Sequence, residues 1–168
     1  MANGYRVEIV QEDRYEQVLN HLYEHFFPHE HLAIGTGLDK RPNHAARPLY
    51  LSFLREGLSV CIVDERSDAI VAVAVNFAVR QHQPYVNYHS MPAENAVIWS
   101  FLEKFEDEYD IYEATQACQG VELCFLSVHP QFSGRGFAQR VTERTIQVAG
   151  ERGFGFVQSN PSAEVVCQ

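Results

Sequence analysis

Val121-Glu-Leu-Cys-Phe-Leu-Ser-Val-His-Pro-Gln-Phe-Ser-Gly-Arg-Gly-Phe-Ala-Gln-Arg-Val141 reads as a buried strand, a short glycine loop and the first turns of a helix. That order aims the unsatisfied N–H groups of a helix start at whatever lies above the loop, a setting suited to an anion and above all to a phosphate. Gly134 and Gly136 carry no Cβ, so the backbone can come close to such a ligand. The stretch is not a P-loop, because G-x-x-x-x-G-K-[ST] is absent. It is not the dinucleotide fingerprint either, whose third glycine is missing.

Upstream, Tyr5 to Val10 reads as a first strand, and Asp13 with Glu16 as a capping box for a helix. Val18, Leu19, Leu22, Tyr23 and Phe26 repeat along that helix until Pro28 stops it. Residues 28–47 read as a polar loop. A short helix from Pro48 to Glu56 should follow, ended by Gly57. Leu58 to Val63 and Ala69 to Val79 form a hairpin across Asp64 to Asp68. Ser90 and Pro92 mark another helix start, with Val97, Ile98, Phe101, Leu102, Phe105 and Tyr109 as its apolar stripe. Glu103, Glu106, Asp107 and Glu108 crowd its far end, which the helix dipole disfavours, so solvation is expected there. Downstream of the loop, a helix runs from about Gly136 to Arg152, Gly153 caps it, and Phe154 to Gln158 starts a last strand. The order predicts an α/β domain with a mixed sheet, in which the two late strands are parallel through a right-handed crossover.

A chain of 168 residues, 46% hydrophobic, suggests one ordinary globular domain. Neither a run of eighteen apolar residues nor an apolar secretion signal is present, so the reading is a soluble, cytoplasmic protein with no membrane partner. Cys61, Cys118, Cys124 and Cys167 form no C-x-x-C pair and read as reduced thiols. A net charge of −9 argues against nucleic acid and is compatible with a cationic small molecule.

Val128-His-Pro-Gln-Phe-Ser-Gly-Arg-Gly-Phe-Ala138 resembles motif A of the GCN5-related N-acetyltransferases, where V-x-P precedes [RQ]-G-x-G-[IF]-[GA]. Ser133 departs from the family's Arg or Gln. The N-x-x-A that follows the family's fifth strand is matched by Asn160-Pro-Ser-Ala163. The N-terminal third resembles the insect-type arylalkylamine N-acetyltransferases, through Tyr5-Arg-Val, Glu12-Asp-Arg-Tyr-Glu16 and Phe26-Phe-Pro-His-Glu30.

The resemblance implies a mixed sheet flanked by helices and acetyl-CoA as co-substrate. It places the cofactor against Leu126, Ser127 and Val128, along Ser133, Gly134, Arg135, Gly136, Phe137 and Ala138, and at Asn160 for the pantetheine arm. It implies transfer of the acetyl group to a small amine of the dopamine, serotonin, tyramine or octopamine class. Glu30 falls where that group carries its catalytic base.

An alkylamine is protonated at neutral pH, like lysine with its reference pKa near 10.4, so a base must deprotonate it. A placed base is worth roughly 10²–10⁴ in rate. A backbone N–H between Leu126 and Val128 is the candidate to polarise the acetyl oxygen. Cys167 stands where much of the superfamily has a tyrosine that protonates the leaving thiolate, and Ser162 is the candidate from the insect group, with Ser159 nearby. His21, His25, His29 and His31 do not match H-E-x-x-H and read as surface imidazoles, so no metal is expected. Trp99 reads as helix core.

Relative to the family pattern, the sequence stops before the closing helix and strand pair. The expectation is therefore a single incomplete domain, 1–168, with Phe154 to Gln158 as an unprotected sheet edge and with reduced stability and turnover. Alternative readings are an acetyltransferase for a polyamine or peptide amine, and a catalytically silent acyl-CoA-binding module.

Overall fold

The computed structural model describes residues 4–36, 45–89 and 91–159, with the backbone alone for residues 105–108. Five strands form one sheet in sequence order: β1 (Tyr5–Ile9), β2 (Val60–Asp64), β3 (Ala69–Arg80), β4 (Gln119–Val128) and β5 (Val157–Gln158). β1 to β4 are antiparallel, and β5 joins β4 in parallel, as the late strand–helix–strand order predicts. The sheet is thus mixed and flanked by helices, in agreement with the expected fold class.

β3 explains the layering. Val73, Val75, Phe77 and Val79 point to one face, where they pack with α1 (Tyr15–His25), α3 (Arg47–Arg55) and Trp99 of α4 (Ala93–Glu108). Ala72, Ala74 and Ala78 point to the other, where small side chains admit α6 (Phe137–Glu151) through Phe137, Val141, Val148 and Ala149. Buried Asn76 ties that face together, donating to Leu58 O at 2.8 Å and to Thr145 Oγ1 of α6 at 3.0 Å. Gly57 and Gly153 end α3 and α6 with φ of 67° and 79°, as their positions in the sequence suggested.

Several expectations need correction. Asp13 and Glu16 form no capping box: Glu12–Arg14 is a 3-10 turn, and Arg14 stands at the N-cap of α1 without a side-chain cap bond. The polar loop 28–47 contains α2 (His31–Gly35). A second short helix, α5 (Ile111–Thr115), precedes β4 and is capped by Asp110. The stripe assigned to α4 is rotated, for Val97, Phe101 and Tyr109 are exposed while Asn95 and Trp99 are buried. A tryptophan and an asparagine are ambiguous in a hydrophobic pattern, and here they outweigh valine and phenylalanine. At the acidic end of α4, Glu103 is half-buried and accepts from Tyr88 Oη at 2.5 Å. Glu106, Asp107 and Glu108 have no described side chains. Among the described residues β5 is the outer strand, and no helix is long and apolar enough to cross a membrane.

Candidate active site

β4 changes character at Cys124. Its ladder with β3 steps from Phe125–Val75 to Leu123–Asn76, leaving Cys124 as the extra residue of a β-bulge. Cys124 and Phe125 consequently face the same side of the sheet, together with Glu122 and Ser127. Val121, Leu123, Leu126 and Val128 face α6.

The bulge also sorts the amides. His129 N–H donates to Val71 O at 2.8 Å, so the residue pairs 127/73 and 125/75 are the hydrogen-bonded ones. The backbone groups of Leu126 and Val128 therefore point away from β3. On that side β5 pairs with β4 at Val121 and Glu122 only, and Ser159 Oγ then donates to Leu123 O at 3.1 Å. Beyond this point the described residues place no strand along β4. Of the three expected cofactor contacts on β4, Leu126 and Val128 turn their amides to this open edge, while the Ser127 amide belongs to the ladder.

The strand leads into the glycine loop. His129 caps a 3-10 turn (Pro130–Phe132) by accepting from Gln131 N–H at 3.2 Å. Ser133 to Gly136 are exposed. Gly134 and Gly136 have φ of 73° and 75°, a region few other residues adopt, and a Cβ on either would meet no atom within 4 Å. Gly136 is the N-cap of α6 and supplies no side-chain cap to the first amides of the helix. Arg135 lies over the Phe132 ring at 5.1 Å and donates to Tyr5 Oη at 3.1 Å. An uncovered turn, uncapped helix amides and a guanidinium fit a diphosphate such as that of acetyl-CoA. Phe137 is buried and anchors the helix, whereas Ala138 lies half-buried on its first turn.

On the other face of the sheet is a pocket of about 560 Å³, part of it open to solvent. Phe26, Phe27, Tyr50, Tyr85, Trp99 and Phe125 give it aromatic walls, and Glu30, Glu122, Asn95 and Cys124 add polar groups. Trp99 belongs both to the core and to this wall. Glu30 is buried at the N-cap of α2, where its carboxylate accepts from Leu32 N–H at 3.1 Å and Ala33 N–H at 2.7 Å. The helix start thus fixes its direction and complements its charge. Burial pushes the Tyr50 hydroxyl upward, and burial with the nearby Glu122 charge pushes the Cys124 thiol upward, so both stay protonated.

The histidines are not all surface groups. His21 is buried on α1, its Nε2 within 3.1 Å of Ser127 Oγ. His25 stacks edge-on against both His21 and His129, with ring centroids 5.0 and 4.3 Å away. Burial, followed by the charges of His25 and His129, lowers the His21 pKa to about 4, against a hydrogen bond to the Ile70 backbone. The imidazole is therefore neutral at pH 7. Among the described residues no group of three or more His, Cys, Asp or Glu is placed to hold a metal ion.

Asn160, Ser162 and Cys167 lie outside the described residues. Glu122, Tyr50, Tyr85 and Asn95 were not singled out from the sequence. A carboxylate in the apolar run Val121 to Phe125 was a usable signal for Glu122, since glutamate is almost never fully buried without a partner.

No family model matches the sequence, and no curated protein matches it. Solved structures do match. An arylalkylamine N-acetyltransferase 2 from Aedes aegypti shares 22% identity over 94% of this chain and 76% of its own, with a TM-score of 0.82. A mosquito arylalkylamine N-acetyltransferase like 5b gives 19%, 89%, 73% and 0.80. A Drosophila melanogaster polyamine N-acetyltransferase that forms N-acetylagmatine gives 23%, 92%, 75% and 0.77. The fold is that of the GCN5-related N-acetyltransferases.

Proposed function

We propose that this protein transfers the acetyl group of acetyl-CoA to the primary amine of a small arylalkylamine, of the dopamine, serotonin, tyramine and octopamine class. The observation that carries the reading is the edge of β4 beyond Glu122, which the described residues leave unpaired and which runs directly into the exposed turn at the start of α6.

Acetyl-CoA supplies an acyl group activated as a thioester. The backbone amides from Ser133 to Ala138 bind its diphosphate, and Arg135 adds a cation close by. Asn160 is kept from the resemblance as a contact to the pantetheine arm. The amides of Leu126 and Val128 donate towards the open edge, where they stabilise the acetyl oxygen as it gains charge. Ser127 serves on the opposite face, holding β4 to His21.

The amine enters the aromatic pocket as a cation. Glu30 accepts the proton that frees its lone pair, directly or through one water. The nitrogen then bonds to the acetyl carbon, the carbon–sulfur bond breaks, and the nitrogen gives up its second proton as the thiolate gains one, with Ser162 as the candidate hydroxyl that passes it on. Two backbone donors, the N–H groups of Leu32 and Ala33, hold the Glu30 carboxylate in place.

The test is calorimetric titration with CoA, followed by acetylation assays on a panel of amines with wild type and Glu30→Gln. The reading expects CoA binding in both forms and turnover lowered about 10²–10⁴-fold by the substitution. No CoA binding would end it. CoA binding without turnover of any amine would leave an acyl-CoA-binding module instead.

A further inference from the structure

We propose that Glu122 selects the acceptor, by accepting a hydrogen bond from a donor at the end of the amine remote from the reacting nitrogen. The donor is a ring hydroxyl or a second cationic group. The inference rests on the acetyltransferase reading and adds the part of that site which discriminates between amines.

Glu122 is 1% exposed and faces the pocket from the sheet, on the same side as Cys124 and Phe125. Its neighbours Val121 and Leu123 face α6, so the strand offers the pocket a carboxylate at a position where an apolar residue would pack. A buried carboxylate is a poor device for stability alone, because an apolar residue of similar volume is often as good or better there. A carboxylate's two oxygens offer about four acceptor sites, so it can serve a ligand's donor as well as a protein group.

The pocket's other carboxylate has a different setting. Glu30 comes from the α1–α2 connection and is held by the start of α2, while Glu122 rises from the sheet. Cys124, beside Glu122, is neutral. Among the described lining residues, Glu122 is therefore the one charged group on the sheet side. A monoamine engages one carboxylate with its ammonium, and a hydrocarbon end would then displace water from the second without replacing its hydrogen bonds. A site built this way strongly rejects an analogue that lacks the donor.

Two substrate pairs read this directly. Tyramine and 2-phenylethylamine differ by a ring hydroxyl, and agmatine and butylamine differ by a guanidinium. In wild type, kcat/KM should favour the donor-bearing member at least about 100-fold in one pair. Glu122→Leu should bring that ratio within about 3-fold of unity, with CoA affinity unchanged as the check on folding. Glu122→Gln keeps a neutral acceptor, so it should retain part of a hydroxyl preference and lose a guanidinium preference. Absence of preference in both wild-type pairs, or survival of the preference in Glu122→Leu, would overturn the role. If the protein binds CoA and acetylates neither pair, acetyl transfer fails as a separate matter. The same ratios, measured as amine affinities of the CoA-loaded protein, then decide Glu122, and variants that lose CoA binding leave the wild-type ratio to decide it.

Discussion

Nε2 of His21 on α1 and Oγ of Ser127 on β4 lie 3.1 Å apart, within the interface between helix and sheet. The contact holds the first helix against the strand that leads into the glycine loop, and it places a titratable group where water does not reach.

That group makes stability depend on pH. An exposed histidine in the unfolded chain titrates near 6.5, whereas burial lowers folded His21 to about 4. Between these values the unfolded chain binds the extra proton, so the stabilisation is complete above 6.5, declines as pH falls, and is gone below about 4. The loss from this residue should reach up to about 3 kcal/mol. Thermal melts from pH 7 to 4 should show the decline, and His21→Gln should flatten it.

The two loop glycines should separate strain from ligand contact. Gly136→Ala meets no atom within 4 Å but must hold a φ of 75°, so it should lose about 1 kcal/mol of stability. If the turn grips the diphosphate, CoA affinity should also fall at least about 10-fold, roughly 1.4 kcal/mol. Gly150→Ala in α6 also meets open space, without a positive φ, and should gain about 0.5–1 kcal/mol with CoA affinity unchanged.

Asn76 and Thr145 should be coupled. Asn76→Ala removes the donor to Leu58 O and to Thr145 Oγ1 and leaves a void, for a loss of about 2–4 kcal/mol. Thr145→Val in the Asn76→Ala background should cost less than in wild type, with a coupling of about 1 kcal/mol by denaturant titration.

Alkylation should rank the described thiols. Cys118 is exposed, while burial pushes buried Cys61 up to about 12 and raises Cys124. The thiolate is the reactive form, so iodoacetamide should modify Cys118 in the native protein and the other two only in denaturant. Peptide mass mapping checks the order.

The layered fold was legible because its signals were local and repeated: alternation in β3, glycines at the ends of α3 and α6, and the turn after β4. The quoted stretch correctly located the strand, the loop and the helix start. Position 30 was visible through its neighbours Phe26 and Phe27, but its placement at the head of α2 was not, since a five-residue helix leaves no periodic trace. The bulge was hidden for a similar reason. A single extra residue in an apolar run, Leu123-Cys-Phe-Leu126, looks the same whether or not the strand kinks there. Glu122 and Tyr50 come to line one pocket only through pairing across the sheet and docking of α3, which no local pattern records.

Cys124 marks where the outer seam of the sheet comes apart. A bulge bends its strand and increases the local twist, and this one lies two residues past the last rung shared with β5. Excising Cys124 would make β4 regular while every other side chain kept its face. That one thiol is what lets Glu122 and Ser127, five positions apart in the chain, look out on the same side of the sheet.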